Sequence, residues 1–301
     1  MHISPSNQHT RFFSIAGITI KINFPEAIRP DTFKPKFNSF ELDQAPSDHH
    51  IEISHSFEFP GPVKTIGEQI YHRAPWSIYK NQHGFIYEWI RPEPLYSCAH
   101  HRVVANADHS GIEIFHDRAI LDNYRKGANE SLSLLPTDQI LISPFLATVS
   151  GGFFHSSAMI FEQNGFIFMG HSGAGKSTLS LMLKDRAQIL CDDRNIIRKE
   201  KEKFKVYGTW SHGDVEEVSS AGVPLKGIFF LEQAVENTAL PLNDKKAIVT
   251  KLLAFMVRPL VTTAWWNQMF DLVEDVASAV PCYTLKFDKT GKAADLLCRM
   301  A

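Results

Sequence analysis

The sequence predicts an α/β protein, α+β overall, in which a mainly β N-terminal domain over residues 1–130 precedes an α/β domain over residues 131–301. Three observations carry this. Apolar residues alternate in short segments set off by Pro, Gly, Asn and Asp through the first 120 residues. Apolar residues at helical spacing begin near residue 128. A strand, a glycine-rich loop and a helix then follow one another over residues 166–185.

The elements follow in order. "RFFSIAGITIKINF" at 11–24 alternates around Gly17 and reads as a strand or hairpin. Residues 50–59, 84–90 and 111–117 alternate in the same way, and strands so spaced suggest an antiparallel sheet. This region carries no nucleotide motif, so it is free for substrate recognition, with structural packing against the second domain as the equal alternative. "ANESLSLLPTDQILISPFLATVSGG" has helical spacing after a Pro-Thr-Asp start signal, which sets the domain boundary at about 128–136. "FFHSSAMIF" and "GFIFMG" read as strands joined through residues 162–165, where Asn164-Gly165 is the turn signal. A helix over 177–185, a buried strand in "AQILCDD" and strands in "KVYGTW" and "LKGIFFLEQ" come next. A long helical stretch over 244–279 carries Trp265 and Trp266, one expected in the core and one at a surface. "CYTLKFD" is a late strand, and a short helix closes the chain.

The bulk properties narrow the function. A chain of 301 residues with 44% hydrophobic and 21% charged residues can bury a sizeable core. A net charge of −2 offers no electrostatic case for nucleic acid or an anionic membrane as partner, while a homo-oligomer stays compatible. The four cysteines form no C-x-x-C pair and no disulfide framework, which fits a reducing compartment. With no signal-peptide pattern and no apolar window of about 18 residues, the expected location is cytoplasmic.

Gly170-His171-Ser172-Gly173-Ala174-Gly175-Lys176-Ser177 fits G-x-x-x-x-G-K-[ST] completely, with Thr178 beside it. Glycines let the backbone curl so that successive N–H groups face phosphate oxygens. The helix that follows adds the positive end of its dipole. Lys176 is placed to reach the β- and γ-phosphates of ATP, and the Ser177 hydroxyl to hold Mg²⁺.

Asp192 and Asp193 follow the apolar run Ile189-Leu190-Cys191, only sixteen residues after Lys176. A strand ending there can deliver both carboxylates to the metal and the γ-phosphate. Neighbours on a strand point to opposite faces, so one can serve the metal while the other accepts a proton from an attacking hydroxyl. An acidic turn, or a purely metal-holding pair, is the plainer alternative.

These residues resemble a known family. "HSSAMIF", "GHSGAGKSTLSLML" and "ILCDD" together resemble the HPr kinase/phosphorylase family, whose catalytic domain is related to phosphoenolpyruvate carboxykinases. The match covers residues 150–195 best and looks closest to divergent relatives found in peptide-modification clusters. It implies an HPr-kinase-type phosphate-loop domain that uses ATP and Mg²⁺ to phosphorylate a serine hydroxyl. It further implies Asp192 as the base, Asp193 with Ser177 as the metal partners, and His155 in support. Read alone, His155 is a packed or surface residue. The family's E-x-R-G segment has only Thr209 to Asp214 as counterpart here, and its P-G-R-N-like loop only the remnant "VRPLVTT" at 257–263. Both departures point away from HPr itself and away from the reverse reaction. The expected acceptor is therefore a peptide, a protein or a small-molecule hydroxyl. A nucleotide-binding regulator or ATPase without transferase activity is the other reading. A transporter-type ATPase is the weaker alternative, for the chain has no LSGGQ-like signature and no distant apolar run ending in Asp-Glu.

Weaker constellations remain. His212 and Asp214 sit in a glycine-containing loop that can reach the metal or the acceptor, or be a plain turn. Arg194 and Arg258 are candidate phosphate contacts, with surface ion pairs as the alternative. Cys98 and His100 fall on one face of a strand, but no second ligand pair has metal spacing.

Overall fold

The computed structural model describes residues 9–60, 66–89, 101–258 and 262–300. It is an α+β protein with two large sheets and few helices among the described residues. Cys98, His100 and part of the 257–263 remnant lie outside them. The chain divides into two compact units between Phe145 and Leu146, the second unit taking Leu146–Arg258 and Thr263 onward.

The first unit holds β1 (Thr10–Ile15), β2 (Ile18–Asn23), β3 (Ile51–Ser56), β4 (Glu68–Arg73), β5 (Trp76–Asn81), β6 (Gly84–Trp89), β7 (His101–Asn106), β8 (Gly111–His116) and α1 (Arg118–Lys126). Its sheet runs β1-β2-β3-β8-β7-β6-β5-β4. In β2 the residues Ile18, Ile20 and Ile22 are buried and their neighbours are not, as period-two alternation requires. The antiparallel expectation holds for most pairs but fails at β3, which runs parallel to both β2 and β8. Residues 24–50 between β2 and β3 supply the long connection a parallel pair needs.

Alternation also carries a polar residue inward. Ile51 and Ile53 of β3 face the core, so His55 does too. Register sets His101 opposite His116. The three rings form a chain: His55 Nδ1 lies 2.8 Å from His116 Nε2, and His116 Nδ1 lies 2.9 Å from His101 Nδ1. His55 also stacks on Phe24 at 3.9 Å. Burial drives the His55 imidazole down to about 3, and burial with its two histidine neighbours holds His116 well below its ordinary value.

The second unit is built from β9 (Gly151–Phe161), β10 (Asn164–Met169), β11 (Gln188–Cys191), β12 (Arg194–Glu200), β13 (Lys203–Tyr207), β14 (Gly222–Gln233), β15 (Thr238–Pro241) and β16 (Cys282–Phe287), with α3 (Lys176–Leu183), α4 (Lys245–Phe255), α5 (Thr263–Ala279) and α6 (Lys292–Cys298). The helix α2 (Gln139–Thr148) contains the division between the units. The strand order is β10-β9-β12-β13-β14-β16-β15, with β11 on β9 and a further parallel pairing of β10 with β14. β10 is buried on both faces. Phe166 and Phe168 pack with Leu179 and Leu183 of α3 and Leu297 of α6. Ile167 and Met169 pack with Leu252 of α4 and Val273 of α5.

Three local expectations are corrected. The hairpin turn is Glu162-Gln163, with Glu162 at φ 56°, because Asn164 already pairs with Phe161. Gly165 serves packing instead: a Cβ there would lie 2.3 Å from Val206 Cγ1. The stretch 244–279 is two helices, the first capped by Asp244 through the N–H groups of Lys246 and Ala247. Pro259 stands between them in sequence and cannot donate a helical N–H. Before α2, the Asp138 carboxylate turns back to the N–H groups of Leu132 and Ser133, and Thr137 Oγ1 accepts from Gln139 N instead. Trp265 is buried, while Trp266 stacks on the exposed Phe270.

The histidine chain makes the first unit sensitive to acid. A depressed imidazole stays neutral when folded but takes a proton when unfolded. Its stabilising contribution is intact above about pH 6.5 and is lost as pH falls toward the folded value of about 3. Going from pH 7 to pH 5 should cost about 2 kcal/mol through His55 alone. Urea unfolding at the two pH values measures this, and His55→Phe should flatten the dependence.

Candidate functional site

β10 ends at Met169, and the chain curls through 170–175 before α3 begins at Lys176. Gly175 caps the helix at φ 99°, a conformation that favours glycine. The Lys176 side chain is folded back on its own loop, donating to Gly170 O at 2.8 Å and His171 O at 3.4 Å. Burial pulls its ammonium below the usual lysine value, against the attraction of Asp193 and Asp192.

β11 and β10 each run antiparallel to β9, so they point the same way and end at the same edge. This brings the acidic pair to the loop. Asp192 is 1% exposed. Its carboxylate accepts from Ser177 Oγ at 3.1 Å, from Gly213 N at 2.6 Å and from Val215 N at 3.0 Å.

Asp193, beside it in the bend between β11 and β12, meets different partners, and its side chain keeps 28% exposure. Its Oδ1 lies 2.9 Å from His155 Nδ1 and 2.9 Å from Arg194 Nη1. Burial works to raise the Asp193 carboxyl. The His155 hydrogen bond and the charges of Arg194, His155 and Lys176 outweigh it and hold the group below the ordinary carboxylate value. Arg194 Nη1 also contacts His155 Nδ1. That nitrogen can accept from Arg194 or donate to Asp193, but not both at once.

These groups line an open cleft of about 400 Å³. It gathers Ser172, Gly173, Gly175, Lys176, Ser177 and Thr178 with His155, Asp192 and Asp193. Gly170, His171 and Ala174 lie instead along a separate cavity backed by Phe255, on which the His171 ring rests at 5.0 Å. Asp214 reaches the cleft; His212 and the exposed Arg258 do not line it. Sequence reasoning missed Gln233 and Lys289, which do. Gln233 Nε2 donates to Gly173 O at 2.7 Å. Gln233 ends β14 and Lys289 follows β16, strands parallel to β10 and to its neighbour, where ligands gather at carboxyl ends.

The donor set suits Mg²⁺. A serine hydroxyl and a carboxylate are hard oxygen ligands, and Mg²⁺ is typically held by one or two carboxylates, waters and substrate phosphates. Among the described residues, no group of three or more His, Cys, Asp or Glu could hold a metal ion.

The family described as SynChlorMet cassette protein ScmC matches residues 124–297, more than half of the chain. The chain belongs to the ScmC family. A solved structure of the Hpr(Ser) kinase/phosphatase from Coxiella burnetii is similar at a TM-score of 0.29 and 13% identity, covering 49% of this ScmC-family chain and 92% of that one. No curated protein matches. No helix of the described residues is long and apolar enough to cross a membrane.

Removing the Asp192 carboxylate should release the segment after β13. In Asp192→Ala the Gly213 and Val215 amides lose their acceptor, a loss worth about 1–3 kcal/mol for the buried Val215 donor left unpaired. Hydrogen exchange at these two amides should accelerate at least tenfold while the β10 amides stay protected.

Proposed function

We propose that this protein is an ATP- and Mg²⁺-dependent kinase that transfers the γ-phosphate to a hydroxyl, a serine of a peptide or protein other than HPr. The observation that carries this reading is the split of the acidic pair across one cleft. Asp192 is buried against Ser177, and Asp193 stays accessible beside His155. A buried carboxylate with three donors is poorly placed to meet an acceptor hydroxyl but well placed to hold a metal with Ser177. The roles therefore exchange relative to the sequence expectation: Asp192 with Ser177 on the metal side, Asp193 as base.

Bound Mg²⁺ would supply charge neutralisation between the β- and γ-phosphates. Lys176 would leave the carbonyls of Gly170 and His171 to meet phosphate oxygens. Asp193 takes the proton of the acceptor hydroxyl as its oxygen bonds to phosphorus, and ADP departs with the bridging oxygen. His155 orients Asp193, and Arg194 favours its ionised form. A depressed carboxyl remains ionised through neutral pH, so the base is ready without further activation. The acceptor is set apart from HPr by the unmatched segment from Thr209 to Asp214, which runs past the cleft. The family's cassette name fits an acceptor encoded alongside.

Transfer from labelled ATP to candidate peptides, to HPr and to small alcohols tests the reading. Lys176→Ala should weaken ATP binding and abolish turnover. Asp193→Asn should keep binding and lose about 10²–10⁴-fold in transfer, the usual worth of a general base. Asp192→Asn should raise the Mg²⁺ requirement. Full transfer by Asp193→Asn would return the base to Asp192, and efficient HPr phosphorylation would overturn the acceptor assignment.

A further inference from the structure

A second, smaller lobe opens off the phosphate cleft. It measures about 160 Å³ and shares Gly175, Thr178, Gln233 and Lys289 with the cleft, so the two are continuous. Its own contribution comes from Ala234, Phe287 and Asp288, just past the carboxyl ends of β14 and at the end of β16. β10, β14 and β16 run parallel in adjacent positions. Their carboxyl ends therefore form one shelf, with the phosphate loop at one side and the lobe at the other.

We infer that this lobe binds the base of the nucleotide, resting on the reading of the cleft as a nucleoside triphosphate site. Phe287 and Ala234 make an apolar floor, while Gln233, Asp288 and Lys289 stand at its edge. That is the division of surface a heteroaromatic ring asks for, apolar against its body and polar at its rim. The floor is held rigidly. Ala234 N donates to Phe287 O at 3.0 Å, clamping the ends of β14 and β16 together. The Phe287 ring also touches the phosphate loop itself, since a Cβ on Gly175 would lie 2.8 Å from its Cζ. Base and phosphates are thus read by surfaces locked to each other. Lys289 stands where lobe and cleft join, the place of the phosphates nearest the ribose.

The test compares MgATP with magnesium-complexed inorganic triphosphate by calorimetry. The wild-type protein should bind ATP at least about tenfold more tightly, as packing a base against an aromatic floor ordinarily provides. Ala234 is only half-buried, so Ala234→Phe can fill the lobe without entering the core. It should erase that preference and leave triphosphate affinity within about twofold of wild type. Equal binding of both ligands by the wild-type protein, or an undiminished preference in Ala234→Phe, overturns the inference while leaving a phosphate site in place. Binding of neither ligand overturns the proposed function with it. Should Ala234→Phe lose triphosphate as well, Phe287→Leu decides. The ATP preference must fall with triphosphate binding kept, or the lobe does not hold the base.

Discussion

Asp192 accepts three hydrogen bonds at once, from Ser177 Oγ at the start of α3 and from the main-chain N–H groups of Gly213 and Val215. A carboxylate at 1% exposure would be costly without such donors, and charge-assisted bonds to backbone N–H are among the stronger ones available. Three separate segments therefore meet at one side chain: the helix that follows the glycine-rich loop, the end of β11, and the loop after β13. Moving any one of them leaves a buried charge short of partners. The hydrogen bond to Asp192 ties Ser177, in the first turn of α3, to the end of β11.

The strand behind the site supplies the second constraint. β9 pairs with β12 through Gly151–His155 and with β10 through Ser156–Phe161, where β11 also joins it through Ala158–Ile160. The handover falls between His155 and Ser156, and Asp193 O accepts from Ser156 N there at 3.0 Å. The buried Asn195 closes the junction by donating to Ser156 O at 2.8 Å and to Cys191 O at 3.0 Å. Register then pairs Arg194 with His155, which is why His155, Asp193 and Arg194 converge. A histidine that looks unremarkable in sequence is brought to the acid by the register of β9 with β12.

This explains what could be read from the chain and what could not. The glycine-rich loop is local: glycines, Lys176 and Ser177 are neighbours, and the strand and helix beside them show their own periodicity. The acidic pair is nearly as local, at the end of an apolar run. Gln233 and Lys289 escape because their place depends on β14 and β16 lying parallel beside β10, and alternation reveals a strand but not its partner. The same blindness hid the parallel setting of β3. His55 was legible in principle, since it continues the buried series Ile51 and Ile53, but what it meets, His116, is set by pairing across sixty residues. At the Asn164-Gly165 hairpin a strong turn signal gave way, because Gly165 is needed where Val206 crosses it.

The resting cleft is balanced against itself. Asp192, Asp193 and Asp214 share the cleft lining with Lys176 and Lys289, and Arg194 pairs with Asp193 from outside that lining. Lys176 is engaged by loop carbonyls and Arg194 by Asp193, so neither is presented to an incoming anion. A nucleoside triphosphate arriving without a cation would add its charge to a site holding two carboxylates within reach of its terminal phosphate, and the repulsion would act at low dielectric. On the proposed function, Ser177 and Asp192 would hold a divalent ion that reverses that balance on the metal side. Asp193, with His155, would then be left to face the acceptor. Burial of one carboxylate and exposure of the other would let one small cleft serve both a metal and a base, although the chain places the two acids on consecutive residues.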